Sequence, residues 1–159
     1  MPTTQERKAM IQKIAELPQK LEEAIHGLND RQLDTPYRDG GWTVRQVVHH
    51  LADSHMNAFL RIKWMLSEDR TTIKPYDQEI WATSPEYSLP CDPSLQLLRG
   101  LHARWVALLN SIATEEQWSR TADHPESGIV TIDRMLTIYS NHGEKHCGHI
   151  WRLRKKMSW

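Results

Sequence analysis

Four segments of the chain repeat apolar residues three or four positions apart. This spacing predicts amphipathic helices, because a period of about 3.6 residues places such positions on one face. The predicted helices cover about residues 4–28, 43–69, 92–113 and 131–156. Together they predict an all-α fold, a four-helix bundle in a single domain over residues 1–159.

Capping residues and prolines predict where some of these helices begin or are interrupted. Thr43 and Gln46 have the spacing of a capping box, and Asp92-Pro93 is typical of an N-cap followed by a first-turn proline. Pro18 should break or kink the first helix, because proline removes a helical hydrogen bond and clashes with the preceding turn.

A long crossover should join the second and third helices over residues 71–90, which contain three prolines. Within it, residues 76–81 could form one or two helical turns. Strand signals are weak, and Ile129-Val130 is the only short candidate. Residues 123–128 are expected to be a loop before the last helix.

Composition narrows the function classes. The 159 residues include 20 basic and 20 acidic side chains, which argues against a nucleic-acid-binding protein because that function needs a concentrated basic surface. No apolar run approaches the roughly 20 residues of a membrane span, and the polar N-terminus lacks an apolar signal core, so we expect a cytoplasmic protein without a membrane partner. Cys91 and Cys147 are isolated thiols, which suits a reducing compartment.

The chain has nine histidines, and three of them occupy the apolar stripe of the last helix. His142, His146 and His149 follow one another at i, i+4 and i+7 on the face that also bears Tyr139 and Ile150. Burying one unsatisfied polar group costs about 1–3 kcal/mol, so something inside the bundle must satisfy these rings. Either they hold a metal ion, which the i, i+4 spacing allows, or they form a hydrogen-bonded core network. The number of histidines in one register favours the metal.

The second helix could supply a third metal ligand, but residue spacing alone does not show which of its histidines that would be. His55 lies inside the apolar arc of that helix, and His50 lies at its edge, whereas His49 points away. Either of the first two could face the histidines of the last helix.

Three neutral imidazoles leave a divalent ion with its full charge and an open position, which is typical of a catalytic site. Such a site activates water for hydrolysis or a thiol for transfer to an electrophile, and the sequence does not separate these reactions. A non-catalytic metal-binding bundle is a third hypothesis.

Other polar and aromatic residues are weaker candidates for a role at the metal site. Asp53 and Glu144 are candidate general bases, but the helical wheel favours solvated surface for both. Tyr76, Asp77 and Trp81 of the crossover could cover the open metal face or simply pack as a loop.

The run from Leu33 to Asn57, which contains Gly41-Trp42-Thr43 and His49-His50-Leu51, resembles the YfiT-like branch of the DinB superfamily. Residues 73–77 with Trp81, and residues 139–150, are also similar to that family. Its members are described as metal-dependent hydrolases.

The resemblance implies a DinB-like four-helix bundle that holds one zinc or nickel ion per chain through His50, His142 and His146. It therefore decides between His50 and His55, and it places His149 and His55 near the metal in supporting roles. It further implies a homodimer and a small-molecule substrate.

Overall fold

The computed structural model describes all residues from Met1 to Trp159. Its helices, in chain order, are α1 (Thr4–Ile25), α2 (Asp30–Leu33), α3 (Val44–Ser67), α4 (Gln78–Trp81), α5 (Asp92–Asn110), α6 (Glu115–Trp118) and α7 (Ile132–Met157). The four long ones, α1, α3, α5 and α7, correspond to the four predicted helices. The first is shorter than expected, because it ends at Ile25 and α2 follows separately.

Side-chain caps start three of the long helices. Thr43 accepts a hydrogen bond from the Gln46 amide, and the Gln46 side chain accepts one from the Thr43 amide, so the predicted capping box is confirmed. Thr3 and Glu6 form the same box at α1, whereas at α7 the Thr131 side chain accepts a hydrogen bond from the Arg134 amide alone. The α5 start differs from the prediction: Asp92 is already helical, and Cys91 occupies the N-cap position without a side-chain hydrogen bond.

Of the break or kink predicted at Pro18, the break is wrong. Helix α1 continues through this buried proline. Burial of Leu17 and Leu21 on either side holds the helix in place, since each is at most 2% exposed. The proline has no amide hydrogen, so the Ile14 carbonyl one turn earlier lacks its usual helical donor.

The four long helices form a square in which α1 and α3 each pack against both α5 and α7. The apolar core consists of two clusters, one around Trp105 and Tyr139 and the other around Leu21 and Leu98. Between them, α3, α5 and α7 each place buried or half-buried histidines. The bundle therefore has a layer of imidazoles between two apolar clusters.

A small sheet adds to the bundle. Strand β1 (Thr71–Thr72) pairs in parallel with β2 (Thr121–His124), which pairs antiparallel with β3 (Gly128–Thr131). The expected loop at residues 123–128 is therefore largely a β-hairpin, and only Ile129-Val130 of this sheet was predicted. Such short strands alternate too briefly for the period of two to stand out in the sequence.

The long crossover is confirmed between α3 and α5, where α4 and a 3-10 turn (Pro85–Ser88) interrupt an otherwise irregular chain. None of the helices combines the length with the apolar character that a membrane span requires.

Candidate metal centre

Helices α3 and α7 bring His50, His142 and His146 together. One ring nitrogen from each of the three lies within 4.8 Å of the others. The Nε2 atoms of His50 and His142 are 3.3 Å apart. Two nitrogens bound tetrahedrally to zinc at about 2.0–2.1 Å are separated by about 3.3–3.4 Å, so this pair already has the spacing of metal ligands.

Burial keeps these three rings neutral. Loss of hydration lowers the pKa of His50 to about 3, and the neighbouring His146 ring adds to the effect. Burial likewise lowers the pKa values of His142 and His146 to about 3. Each ring therefore has a free nitrogen lone pair at neutral pH, which is the form that binds metal.

Several ring nitrogens at this site have no partner in the protein. The Nδ1 atoms of His50, His146 and His149 are buried and make no hydrogen bond. Buried polar groups are nearly always satisfied, so these Nδ1 atoms need partners that the chain itself does not supply. The Nε2 atoms of His50 and His142 face each other instead, and imidazole nitrogens suit zinc, nickel, copper and iron.

The cluster borders a cavity of about 280 Å³. The walls come from α7, from the loop between α2 and α3, and from the start of α4. Trp42 forms one side, with its ring 4.5 Å from the His50 ring and parallel to that of His146. The Trp42 indole also donates a hydrogen bond of 2.9 Å to Glu79, which ties α4 to this wall. The sequence prediction assigned Trp42 no role, since its position before a helix cap carries no chemical signal.

His149 lies beside the cluster, as the resemblance implied. Its ring stacks on Tyr37 at 4.5 Å between centroids and meets the His146 ring edge-on at 5.4 Å. It also lines the cavity. His149 is thus placed to contact a bound molecule.

The two candidate bases lie elsewhere. Asp53 is half-buried rather than solvated, because its carboxylate accepts a 2.6 Å hydrogen bond from the Tyr87 hydroxyl. Burial raises the pKa of Asp53. Glu144 is a surface residue, as the wheel predicted, and pairs with Lys13 at 2.8 Å. Neither carboxylate lines the cavity.

The crossover reaches the cavity through different residues from those singled out in the sequence. Tyr76 and Trp81 pack on each other at 4.3 Å, and Asp77 caps α4 by accepting hydrogen bonds from two backbone amides. Gln78 and Glu79 line the cavity instead. Tyr76 borders a neighbouring cavity of about 200 Å³ that also contacts His142.

Two histidines behind the cluster connect it to the rest of the bundle. His55 is fully buried, and its Nε2 lies 3.3 Å from Nδ1 of His142. On the other side, Nδ1 of His55 lies 3.0 Å from Nε2 of His102. The sequence prediction gave His102 no role, although it lies on the apolar stripe of α5 between Leu98 and Trp105 and could have been found there.

His49 lies away from the histidine cluster, as the wheel predicted, but it is buried. It does not point into solvent but is 5% exposed, with its ring nitrogens 2.7 Å from the Ser94 hydroxyl and 3.0 Å from the Leu89 carbonyl. The end of the crossover and the start of α5 cover it. A helical wheel could not anticipate this cover, because it comes from outside the helix pair.

Residues 13–150 match the model of the DinB superfamily. The chain belongs to the DinB superfamily. It is 50% identical over 149 residues to a protein of Bacillus cereus (strain 03BB102) named "Putative metal-dependent hydrolase", across 94% of this chain and 86% of that protein. A protein of the same name from Bacillus thuringiensis subsp. konkukian (strain 97-27) matches equally well.

A solved structure shows the same fold. YfiT from Bacillus subtilis superposes with a TM-score of 0.96 at 43% identity, covering 100% of this chain and 91% of that one. It is described as "a probable metal-dependent hydrolase with an unusual four-helix bundle topology". The predicted DinB-like four-helix bundle is confirmed.

Proposed function

We propose that this protein is a hydrolase that uses one divalent ion, Zn²⁺ or Ni²⁺, held by His50, His142 and His146. The observation that carries the proposal is the convergence of three neutral imidazoles, within 4.8 Å, beside a cavity large enough for a small molecule. The names of the Bacillus relatives support the same reaction class.

The metal would supply a Lewis acid that lowers the pKa of a coordinated water toward neutrality. The chain's own residues bind and orient the substrate. Trp42 offers an apolar wall beside His50, and His149 offers a ring nitrogen at the cavity edge. Arg38 and Lys145 line the same cavity against one carboxylate, that of Glu79, so the excess positive charge favours a small substrate that has an anionic group.

A second candidate is metal-dependent transfer of a low-molecular-weight thiol. Arg38 and Lys145 favour this alternative too, because an anionic thiol would be drawn to the same cavity. The two functions are separated by the thiol requirement: a hydrolase turns over esters or amides in thiol-free buffer, whereas a transferase is silent until a thiol is added. A non-catalytic metal-binding bundle would turn over neither type of substrate.

The ligand set is tested by metal content. Purified protein should bind about one Zn²⁺ or Ni²⁺ per chain, as a three-histidine site does. His50→Ala, His142→Ala and His146→Ala should each lower the bound metal well below stoichiometry, measured by elemental analysis after dialysis. The exposed His26→Ala serves as the control and should keep its metal. Full metal occupancy in all three site variants would contradict the assignment.

The family resemblance also supports a homodimer as part of this proposal, and the free thiols of Cys91 and Cys147 support a location in the reducing cytoplasm. Light scattering coupled to size-exclusion chromatography would measure the oligomeric state, and a monomer at all concentrations would contradict it.

A further inference from the structure

A chain of hydrogen bonds crosses all four long helices behind the candidate metal centre. From α7, Nδ1 of His142 lies 3.3 Å from Nε2 of His55 on α3. Nδ1 of His55 lies 3.0 Å from Nε2 of His102 on α5. Nδ1 of His102 then lies 2.6 Å from the backbone carbonyl of Ile14 on α1. We call these three histidines and the Ile14 carbonyl the histidine relay.

The Ile14 carbonyl at the end of the relay determines which ring nitrogen is the donor in each of its hydrogen bonds. A carbonyl can only accept, so Nδ1 of His102 must carry the hydrogen. A neutral ring has one N–H, which leaves Nε2 of His102 as an acceptor for His55. By the same logic Nδ1 of His55 donates and its Nε2 accepts from Nδ1 of His142.

The rings are buried deeply enough for this logic to apply. His55 is 0% exposed and His102 is 1% exposed. Their hydrogen-bonding partners are ring nitrogens and the Ile14 carbonyl, and no carboxylate is among them. An enclosed imidazolium without a counter-charge is unfavourable, so each ring of the relay is neutral and carries one proton.

Pro18 explains why the Ile14 carbonyl is available. In an α-helix the carbonyl of residue 14 would accept from the amide of residue 18, but proline has no amide hydrogen. The Ile14 oxygen thus lies in the middle of α1 without its helical donor, and His102 donates to it instead.

We propose that His55 and His102 are positioning residues, which hold His142 as the Nδ1–H tautomer so that its Nε2 lone pair faces His50 and His146. The proposal rests on the proposed function in one respect, namely that His142 is a metal ligand. Metal-binding histidines commonly donate their second ring N–H to a carbonyl, a carboxylate or a water, which fixes the tautomer and the ring orientation. Here the final acceptor is a carbonyl two histidines away.

The relay also accounts for the contact between Nε2 of His142 and Nε2 of His50 at 3.3 Å. With His142 as the acceptor there, only His50 can carry a proton on Nε2 in the metal-free protein. Metal binding through Nε2 of His50 would then require that ring to change tautomer, with its proton moving to Nδ1, whereas Nε2 of His142 is already bare.

The direct test is the tautomer of each ring in metal-free protein. Long-range ¹H–¹⁵N spectra of ¹⁵N-histidine-labelled protein at neutral pH distinguish a protonated ring nitrogen from a bare one. We expect His142, His55 and His102 all to be protonated on Nδ1 and bare on Nε2. A proton on Nε2 of His142 would overturn the proposal, whatever the variants below show.

The energetic test is the affinity for Zn²⁺, measured by competition with a chelator. His102→Leu removes both the acceptor for His55 and the donor to Ile14, so Zn²⁺ affinity should fall by about 10–100-fold, as for other groups that orient a metal ligand. His102→Gln should restore much of that affinity, because one amide can accept from His55 and donate to Ile14.

The control for general destabilisation is Leu109→Ala. This residue lies on the same helix as His102 and is fully buried, but it belongs to the apolar cluster and not to the relay. It should leave Zn²⁺ affinity unchanged although the fold is weakened. Equal affinity losses in Leu109→Ala and His102→Leu would overturn the positioning role.

The two proposals fail in different ways. Protein that binds no Zn²⁺ contradicts the proposed function, while the tautomers of the metal-free protein still test the relay. Protein that binds Zn²⁺ tightly with His142 protonated on Nε2 before loading contradicts the relay alone.

Discussion

At the scale of single residues, the unusual feature is a set of imidazoles buried as deeply as leucines. His50 is 2% exposed and His146 is 9% exposed, and His55 and His102 are almost completely enclosed. An imidazolium at these positions would lose its hydration without gaining a carboxylate partner, so burial makes the neutral ring the stable form. These residues serve as metal ligands or hydrogen-bonding groups only while they remain neutral.

Stability should therefore depend on pH in a defined direction. The pKa values of His50, His142 and His146 are lowered to about 3, from 6.5 in the unfolded chain. Between these values the unfolded state binds more protons than the folded state, so the free energy of unfolding rises with pH and falls on acidification. Each ring contributes up to about 1.4 kcal/mol per pH unit in that window.

Urea denaturation of metal-free protein at pH 7.5, 6 and 5 would measure this effect. The midpoint should decrease at each step below about pH 6.5, and His26→Ala should show the same decrease, since His26 is exposed. A midpoint that is constant or that rises toward pH 5 would show that the buried rings do not titrate as described.

At the scale of elements, the site depends on how closely α7 approaches α1. Gly143 follows His142, the proposed metal ligand, and faces Leu17. A Cβ at residue 143 would lie 2.9 Å from Cγ of Leu17 and closer still to both of its methyl groups. The absence of a side chain thus lets the two helices pack at their present distance.

Gly143→Ala should lower the free energy of unfolding by about 1–3 kcal/mol, as overpacking in a core does. Because Leu17 or α7 must shift, Zn²⁺ affinity should fall as well. Thermal or urea denaturation and chelator competition would measure the two effects.

Gly148 on the same helix provides a matched comparison. A Cβ there meets nothing closer than the flexible Arg152 side chain at 3.4 Å. Gly148→Ala should therefore raise the free energy of unfolding by about 0.5–1 kcal/mol through helix propensity alone. If both variants shifted stability in the same direction, the packing argument for Gly143 would be wrong.

At the scale of the whole molecule, a buried ion pair joins distant parts of the chain at one end of the bundle. Arg7 on α1 is 4% exposed and donates to Asp133 on α7 at 2.7 Å and to Glu115 on α6 at 2.7 Å. Its guanidinium also lies 4.8 Å from the centre of the Trp118 ring. One side chain thus connects the first helix with the last helix and with α6.

Arg7→Met should lower the free energy of unfolding by about 3–5 kcal/mol, because Asp133 would remain buried without a partner. Glu115→Gln should change it by less than about 1 kcal/mol, since the Glu115 side chain is 65% exposed. Denaturation of the two variants side by side would separate the buried pair from the exposed one, and equal losses would contradict this description.

Much of the fold was determined by the sequence itself. Angular spacing within one helix is a local property, so the stripe that contains His142 and His146 could be recognised from residue numbers alone. Capping chemistry is also local, and the start of α3 at Thr43 was predicted correctly for that reason. Most of the three-strand sheet was missed because its strands of two and four residues are too short for a local pattern, and β1 is stabilised by pairing with the distant β2.

Only the tertiary structure decided which histidines meet. The rotation and height of α3 against α7 depend on side-chain packing between helices, and this places His50 beside His142 and His146, with His55 behind them. Proximity of His102 to His55 and to the Ile14 carbonyl likewise requires all four helices to be in place. The sequence determined that buried imidazoles need partners, whereas the packing of the bundle determined what those partners are.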